Sequence, residues 1–479
     1  MDDEKKNARE NLQVNLQENF QENFQENFQE NPLASRLEEA AGALLADPGI
    51  VDAGSAGASL LRYLGYDDGE TAHAEARSRM LRAAARLRRL FLLPVPDAPG
   101  LIFFGGEADP AMLGKSSGKS CKGLPIGNLA GSGLTPQRAF ESCVGEGVEY
   151  LSQFLGVDDH VELGPLTTCG DASDMDVRRF IDETLAICSV DADRPIAWVS
   201  ADRLSDGARL RFPLDLCYRR RASEQDFTPP LKLSSGCAAG VSIEAATLRA
   251  LLELVERDAA ALWWRGGRRA RPVAPHSEAT HAAAELLAQL RQGKADRKTW
   301  LLDITTDVGI PVVVALSGRA DGFGFAYGFG ARLTLAEAAR SAIFELCQVE
   351  LGQHVIEAKR AESGDGALNE SDRKQWRRGT AFDTRTCQLL QPETGLGEVP
   401  TSGSDVAPSS LEQALERLEA RGIATYRIDL TRAAFGIPVV RVLAPALQLE
   451  PCQIVGPRLA RMIAQTGGGA VHHGGMPLL

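Results

Sequence analysis

The sequence predicts a mixed α/β (α+β) fold with a pseudo-duplicated architecture and a helical extension on its N-terminal side. Three observations support this prediction: short apolar strands alternate with amphipathic helices after residue 100, one hairpin-like segment occurs twice, and one helix design occurs three times. Of the 479 residues, 44% are hydrophobic and 24% are charged, so the chain can bury a large core.

Charge and cysteine usage argue against several classes of protein. The net charge of −12 argues against binding to the nucleic acid backbone, which needs a basic surface. The nine cysteines include no Cys-x-x-Cys pair, which favours reduced cytoplasmic thiols over a zinc ribbon or a thioredoxin-type motif. The apolar runs are far shorter than the ~18–20 residues of a membrane span. We therefore expect a cytoplasmic protein with no nucleic acid partner and no membrane partner.

The first 100 residues divide into a tail and a helical region. Residues 1–32 contain a Gln-Glu-Asn-Phe repeat of period four, which predicts a disordered or partly helical tail, with a partner-binding helix as the alternative. Residues 33–100 form the predicted helical region. The apolar spacing is helical from residue 33 to residue 93, and the proline-rich stretch 94–100 ends the region. Residues 101–479 are predicted to form the main domain.

Within the main domain, the apolar pattern predicts individual elements. A strand is expected in 100–106, and two strands around a turn in 299–318. Helices are expected near 136–155, 243–264, 277–291, 335–354 and 411–421. The polar region 360–408 is expected to be a long surface excursion. Residues 303–318 resemble residues 429–445, since each segment has Asp-x-Thr, a turn and then Gly-Ile-Pro-Val-Val.

The repeated helix design follows a glycine-rich approach each time. The first residue of each unit can cap the free N–H groups of the first helical turn, and these residues are Thr135, Ser242 and Thr334. Pro136 and Glu337 strengthen two of the three starts. An acidic or amide side chain stands eleven and fourteen residues after each cap: Glu146 and Glu149, Glu253 and Glu256, and Glu345 and Gln348.

This spacing places the two side chains of each helix on one face, about three turns from the cap. Clustered carboxylates raise one another's pKa unless a cation lies between them. Mg²⁺ takes carboxylate oxygens and keeps phosphate oxygens as further ligands. Five glutamates, one glutamine and Arg257 therefore predict a nucleotide-phosphate site. For any single helix, an ordinary solvated acidic strip remains the alternative.

The loop at 114–123 is one residue short of a phosphate-binding loop. The Walker pattern requires four residues between its first glycine and Gly-Lys-Ser, whereas Gly114 and Gly118 leave three. A loop rich in glycine and lysine can still bring backbone N–H groups close to phosphate. A flexible surface loop is the alternative.

Four segments resemble the YcaO family. Residues 120–150, 236–264 and 331–348 are similar to its three signatures, and 436–445 to a strand near its C-terminus. The similarity is strongest to the D proteins of thiazole/oxazole-modified peptide clusters. It implies a cyclodehydratase, with 101–479 as its ATP- and Mg²⁺-binding catalytic domain. Such an enzyme converts Cys, Ser or Thr of a ribosomally made precursor peptide to thiazoline or oxazoline by phosphorylating the backbone amide oxygen.

The resemblance also implies roles for single residues. The implied metal ligands are Glu146, Glu149, Glu253, Glu256 and Glu345. The implied nucleotide-binding residues are Lys122, Ser142, Glu244, Arg257 and Gln348. The chain departs from the family pattern at Tyr150 and Ser341, where arginine is usual, and at Ala245, where a second acid is usual. A Pro-x-Pro-x-Pro tail is represented only by Pro477.

The resemblance implies partners besides the precursor peptide. The first 100 residues are too short for a fused activating-enzyme-like domain, so we expect a separate leader-binding subunit of that type. An FMN dehydrogenase that oxidises azolines can share the complex. Two alternatives remain: a YcaO enzyme acting on another amide, as in thioamide formation, and a degenerate scaffold, which the departures at residues 150, 245 and 341 motivate.

Two further segments have competing interpretations. His472 and His473 could bind a metal, but the pattern favours a flexible polar tail. Residues 263–272 mix tryptophan with arginine and could stack on RNA, but a helix end followed by a basic loop is favoured in so acidic a chain.

Overall fold

The computed structural model describes residues 33–45, 55–67, 73–113, 124–156, 158–165, 174–191, 193–393 and 408–478. The Gln-Glu-Asn-Phe repeat and the loop 114–123, which carries Lys122, lie outside the described residues. The predictions for these two segments stay predictions.

The helical elements confirm all five helices predicted in the main domain. The α-helices are α1 (Ala34–Ala43), α2 (Ala56–Leu64), α3 (Ala74–Ala85), α4 (Pro136–Ser152), α5 (Met175–Ile187), α6 (Ile243–Trp264), α7 (Glu278–Arg291), α8 (Leu335–Ser363), α9 (Glu370–Ala381), α10 (Leu411–Glu419), α11 (Pro457–Thr466) and α12 (Ala470–His473). Among the described residues, no helix combines the length and apolar character needed to cross a membrane.

Three antiparallel sheets form the framework. The strands are β1 (Arg89–Leu93), β2 (Ile102–Ala108), β3 (Gly127–Gly133), β4 (Glu162–Gly164), β5 (Ile196–Arg203), β6 (Arg209–Pro213), β7 (Cys237–Ala239), β8 (Arg271–Pro272), β9 (Arg297–Asp303), β10 (Val312–Arg319), β11 (Ala326–Ala331), β12 (Tyr426–Asp429) and β13 (Val439–Leu443). Their orders are β1-β2-β3, β11-β10-β9-β8 and β4-β5-β12-β13-β7, with β6 paired to β5.

One edge strand of each sheet leads directly into a helix of the repeated design. These strands are β3 before α4, β7 before α6 and β11 before α8. An edge strand carries a row of backbone N–H groups that its own sheet does not use. Three such rows are therefore available to side chains of the helices.

The repeated sequence segments form hairpins with the same local hydrogen bonds. In the β9–β10 hairpin, Asp303 accepts a bond from the N–H of Thr305 at 2.8 Å, and the Thr305 hydroxyl accepts one from the N–H of Val312 at 3.0 Å. In the β12–β13 hairpin, Asp429 and Thr431 accept the equivalent bonds at 2.8 and 3.1 Å. The duplicated sequence thus encodes a duplicated structure.

The N-terminal helices pack on one another and on α4. The hydroxyl of Ser78 in α3 donates to the carbonyl of Ala41 in α1 at 3.0 Å, and the Tyr66 phenol donates to Glu141 of α4 at 3.0 Å. The prediction that helix continues to residue 93 is wrong, because Arg89–Leu93 is β1. Phe91 lies opposite Gly105 of β2, and the space above that glycine accommodates its ring.

The predicted polar surface excursion at 360–408 is largely exposed as far as residue 381, and much of it is helical. Helix α8 runs on to Ser363, and α9 follows with Asn369 as its cap. Beyond α9, Leu389 and Leu390 are completely buried in the core. A few apolar side chains anchor this polar region to the core. The average composition of the region is polar and does not reveal them.

Candidate active site

The three predicted helix caps all form. In each, the cap side chain accepts a bond from the N–H three residues on: Thr135 from Arg138 (3.3 Å), Ser242 from Ala245 (3.1 Å) and Thr334 from Glu337 (3.2 Å). The starts of α4, α6 and α8 are therefore fixed, and the positions eleven and fourteen residues on are fixed with them.

Glycines let the edge strands lie directly on these helices. A Cβ at Gly131 of β3 would lie 2.2 Å from the backbone nitrogen of Cys143 in α4. A Cβ at Gly328 of β11 would lie 2.2 Å from the carbonyl oxygen of Ala342 in α8. The glycine-rich approaches in the sequence thus allow a close contact between strand and helix, which brings strand N–H groups within reach of helix side chains.

The glutamate eleven residues after each cap binds the segment that precedes its own helix. It accepts a backbone N–H from that segment, and the pairs are Glu146 with Ala130 (2.6 Å), Glu253 with Gly236 (3.1 Å) and Glu345 with Phe329 (2.5 Å). Each bond occupies one carboxylate oxygen and satisfies one edge N–H group.

The side chain fourteen residues after each cap binds the strand of the next unit. The pairs are Glu149 with Ala239 of β7 (2.7 Å), Glu256 with Ala331 of β11 (3.2 Å) and Gln348 with the Ser132 hydroxyl of β3 (2.8 Å). Each partner lies three residues before a cap. The third unit therefore closes onto the first, and the six side chains form one ring, which we call the carboxylate ring.

Burial and mutual repulsion change the acidity of the carboxylate ring. Burial raises the pKa of Glu146 to about 7, that of Glu149 to about 8 and that of Glu345 to about 7. Burial also raises the pKa of Glu253, and the neighbouring charge of Glu256 adds to the increase. The charge of Glu253 acts on Glu146, Glu149 and Glu345, so these carboxylates lie within electrostatic range of one another.

Arg257 is the predicted cation of the ring, and the structure places it there. Its guanidinium lies 3.5 Å from Glu253 Oε1 and 3.6 Å from Glu256 Oε1. Burial lowers the pKa of Arg257, but these carboxylates outweigh that effect and the net shift is upward. Three cations that the sequence analysis did not select also act on the ring: Lys232, Arg249 and Arg332.

Two of these cations are held by backbone carbonyls. Arg249 donates to the carbonyl of Ala239 at 3.2 Å, and Arg332 to the carbonyl of Ala331 at 2.7 Å. Arg249 could have been found from the sequence, because it lies four residues before Glu253 on the same helical face. A lysine in a loop, such as Lys232, gives no such signal.

The donor set suits a magnesium–nucleotide complex better than a metal ion alone. In the described residues, Glu146, Glu149 and Glu345 each keep one carboxylate oxygen with no hydrogen bond, since the other binds a backbone N–H. Across those same residues, no three His, Cys, Asp or Glu side chains form a complete metal site. Mg²⁺ is commonly held by one or two carboxylates together with phosphate oxygens and water.

The remaining predicted site residues lie in different surroundings. Ser142 is exposed on α4, one turn before Glu146 and on the same face. Glu244 is exposed in the first turn of α6, where the charge of Arg427 acts on it, and the structure does not bring it to the carboxylate ring. Lys122 lies outside the described residues.

The last described residues pack against the molecule, so the expectation of a flexible tail is wrong. The ring of His473 stacks on that of Trp264 with centroids 4.2 Å apart. The Tyr327 phenol donates to the carbonyl of Leu478, to which Arg378 also donates at 2.5 Å. The charge of Glu345 acts on Tyr327, so this contact lies within electrostatic range of the carboxylate ring.

The tryptophans of the 263–272 segment do not form a surface for RNA. Trp263 is completely buried and Trp264 is 2% exposed. Their indole N–H groups donate to the carbonyls of Leu389 and Met476, at 3.1 and 2.7 Å. The favoured alternative, a buried helix end followed by a basic loop, is confirmed.

A family model described as YcaO cyclodehydratase, ATP- and Mg²⁺-binding, matches residues 130–448. The chain belongs to the YcaO family. Its expected fold class and the expectation of ATP and Mg²⁺ are thereby confirmed. The matched residues include every member of the carboxylate ring.

Solved YcaO-type structures share the fold. A heterocyclase in complex with substrate and cofactor is 24% identical, with a TM-score of 0.60 over 79% of this chain and 52% of its own. The YcaO protein of Methanopyrus kandleri bound with AMPPCP and Mg²⁺ is 21% identical, with a TM-score of 0.53 over 78% and 89%. The E. coli microcin synthetase McbBCD complex with pro-MccB17 bound is 15% identical, with a TM-score of 0.52 over 75% and 88%. This YcaO chain thus spans about half the length of the first of these proteins.

Proposed function

We propose that this YcaO protein installs azoline rings in a ribosomally made precursor peptide. A Cys, Ser or Thr side chain of the peptide attacks the preceding amide carbonyl, and the resulting oxygen receives the terminal phosphoryl group of ATP. Loss of phosphate leaves the thiazoline or oxazoline ring and ADP. The observation that supports this proposal is the closed carboxylate ring, in which six polar side chains occupy equivalent positions around one site.

The protein's own contribution is positioning and charge neutralisation, which phosphoryl transfer needs more than covalent help from the enzyme. When bound, Mg²⁺ with ATP supplies the phosphoryl group and offsets the charge of the phosphates. Glu146, Glu149, Glu253, Glu256 and Glu345 would hold the metal. Lys122, Ser142, Arg257 and Gln348 would bind the nucleotide.

Backbone hydrogen bonds pre-orient these metal ligands. Each of the five glutamates has one oxygen fixed by a backbone N–H, so it loses little freedom when it binds a cation. Glu244 is the weakest of the proposed nucleotide contacts, because it is exposed at the start of α6.

We propose a separate leader-binding subunit of the activating-enzyme-like type as partner, and an FMN dehydrogenase as a further member of the complex. Support comes from the E. coli relative, whose structure is a complex with a bound precursor, and from the heterocyclase, of which this chain matches only 52%. We also propose a cytoplasmic site of action, which the free cysteines support, and no nucleic acid partner, which the acidic pI of about 5.3 supports.

A non-catalytic scaffold is the second candidate, and one observation favours it. The Tyr150 phenol is already engaged, since it donates to the carbonyl of Pro125 and its ring lies against Arg219, 5.2 Å from centroid to guanidinium carbon. A residue so occupied has no free group for phosphate. The same Arg219, however, brings a positive charge to this corner of the site.

Product formation tests the proposal. The chain, its partner subunit, the precursor peptide, ATP and Mg²⁺ are incubated together, and the peptide mass is followed. We expect the loss of one water mass per ring, with one phosphate released per ring, and no loss with Glu253→Gln. A scaffold would form product equally well with Glu253→Gln. A thioamide-forming enzyme would exchange oxygen for sulfur without losing water.

A further inference from the structure

Lys232 lies on a loop that the rest of the molecule holds rigidly. Before it, Leu231 pairs with Cys452, and the N–H of Gln453 donates to the carbonyl of Pro230 at 2.8 Å. After it, the N–H of Ser235 donates back to the carbonyl of Lys232 at 3.1 Å and closes a turn. The backbone of Lys232 is therefore fixed on both sides.

A buried arginine also holds this loop through hydrogen bonds to its backbone carbonyls. The guanidinium of Arg441, whose residue is 1% exposed, donates to the carbonyls of Leu233 and Ser235. Gly236 ends the loop at a φ of +75°, where a Cβ would lie 2.5 Å from the carbonyl oxygen of Val442. The N–H of Gly236 also binds Glu253, so the loop is hydrogen-bonded to the carboxylate ring itself.

The ammonium of Lys232 lies within range of the charges of the carboxylate ring but is not bound to it. The charges of Glu253 and Glu146 attract it, and those of Arg257 and Arg219 repel it. Within the described part of the chain it makes no hydrogen bond, and no carboxylate lies within 4 Å of it. Its side chain is exposed to solvent, although surrounding protein atoms lower its pKa. The ammonium is therefore open to solvent and lies within range of the charges of the carboxylate ring.

The other cations around the ring are already engaged. Arg257 lies between two glutamates, while Arg249 and Arg332 donate to backbone carbonyls. An ammonium is a compact, strongly hydrated charge with three donors, and phosphate oxygens are suitable acceptors for it. A phosphate that shares a metal with Glu146 or Glu253 would lie beside Lys232, which makes neither a hydrogen bond nor an ion pair in the described residues.

We propose that Lys232 binds the phosphate chain of the nucleotide and offsets its negative charge. This inference rests on the proposed function, because it requires a metal–nucleotide in the carboxylate ring. It assigns Lys232 to phosphate and not to the nucleoside. It also predicts that Lys232 opposes the binding of free Mg²⁺, since both are positively charged and lie near the same carboxylates.

The test is calorimetric titration of Lys232→Ala, Lys232→Arg and the wild type with ATP, ADP and AMP in Mg²⁺, and with Mg²⁺ alone. Lys294→Ala is the matched control, because it removes the same charge from an exposed position outside the site. We expect Lys232→Ala to bind ATP about tenfold more weakly or worse, since a hydrogen bond to a charged group is lost. AMP should bind with less change, Mg²⁺ alone no more weakly, and Lys232→Arg should recover most of the affinity.

Three results would overturn the inference. They are unchanged ATP affinity in Lys232→Ala, an equal loss for ATP and AMP, and a weaker affinity for Mg²⁺ alone, which would mark Lys232 as a structural support of the ring. A wild-type chain that binds no ATP would overturn the proposed function and this inference together. If the wild type binds ATP but the Lys232 variants give one of these three results, only the inference about Lys232 is overturned.

Discussion

Helix α8 carries two glutamates with opposite surroundings. Glu350 is completely buried and saturated: Arg291 donates to both of its oxygens at 2.6 and 2.8 Å, and Arg297 and Ser317 lie at 2.9 and 2.6 Å from Oε1. Glu345, five residues earlier, receives one backbone N–H and keeps its other oxygen without a hydrogen bond in the described residues. One carboxylate completes a structural network, while the other is left ready for a cation.

The same contrast occurs on α6. Asp258 is completely buried and binds the guanidinium of Arg458 through both oxygens, at 3.0 and 2.9 Å. Glu253 and Glu256 share one arginine at 3.5 and 3.6 Å. A buried acid matched by a well-aligned arginine supports the fold, whereas buried acids that outnumber their cations indicate a binding site.

The largest effect is expected at the structural acid. Glu350→Gln removes the negative charge that two buried arginines share, so we expect a loss of about 3–5 kcal/mol in the free energy of unfolding. Denaturant titration measures this change. Glu345→Gln is the matched control on the same helix and should not lose stability. Equal losses in the two variants would remove the distinction between them.

For ATP binding, the larger effect is expected at Glu345, which is the proposed metal ligand. Glu345→Gln should weaken the binding of ATP in Mg²⁺ by about 100-fold, because a proposed metal ligand becomes a neutral amide. Glu357→Gln, at an exposed position farther along α8, should bind as the wild type does. Calorimetry measures both affinities. Unchanged binding by Glu345→Gln would exclude this residue from the metal site.

A smaller effect is expected from separating strand and helix. In Gly328→Ala, the new methyl group would lie 2.2 Å from the backbone of α8, so β11 must move away from Glu345. We expect a loss of about 1–3 kcal/mol in stability, together with weaker ATP binding. Gly42→Ala is the control: a Cβ there meets no atom within 4 Å, and stability should rise by about 0.5–1 kcal/mol. Wild-type stability and ATP affinity in Gly328→Ala would contradict the close packing.

A change of pH is expected to have the smallest effect on stability and on ATP affinity. The raised pKa values of Glu146, Glu149 and Glu345, about 7, 8 and 7, mean that the folded protein binds protons that the unfolded chain releases near pH 4.5. Their contribution to stability is complete below pH 4.5 and is lost as the pH rises through 7 to 8. A cation favours the ionised form, so ATP affinity in Mg²⁺ should rise about tenfold from pH 6 to 8, with proton release.

Calorimetry in two buffers of different ionisation enthalpy counts these protons. Glu345→Gln should release fewer of them than the wild type, because one titrating carboxyl is gone. Binding without proton release at pH 6 would mean that the carboxylates are already ionised in the free protein.

Local sequence signals predicted the parts of the site that depend on one helix. Capping residues and fixed helical spacing placed Glu146, Glu253 and Glu345 at equivalent positions, and the Gly-Ile-Pro-Val-Val repeat predicted two similar hairpins. Each of these features is decided within about 20 residues by helix geometry or by turn chemistry.

The rest depends on contacts between distant parts of the chain. Closure of the ring requires Gln348 to reach Ser132, 216 residues away, and no periodicity encodes that contact. Arg89–Leu93 forms a strand because it pairs with β2, although the sequence before it has helical spacing. Lys232 was missed because a residue in a loop belongs to no helical or strand periodicity. Glu244, exposed in the first turn of α6, stays a prediction.

The most direct test of the central claim is calorimetric titration of ATP, with and without Mg²⁺, into the wild type and into Glu253→Gln/Glu256→Gln. The account predicts binding by the wild type that requires Mg²⁺, and its loss in the double variant at unchanged stability. Binding that does not depend on Mg²⁺, or that survives in the double variant, would show that the carboxylate ring does not hold a metal–nucleotide.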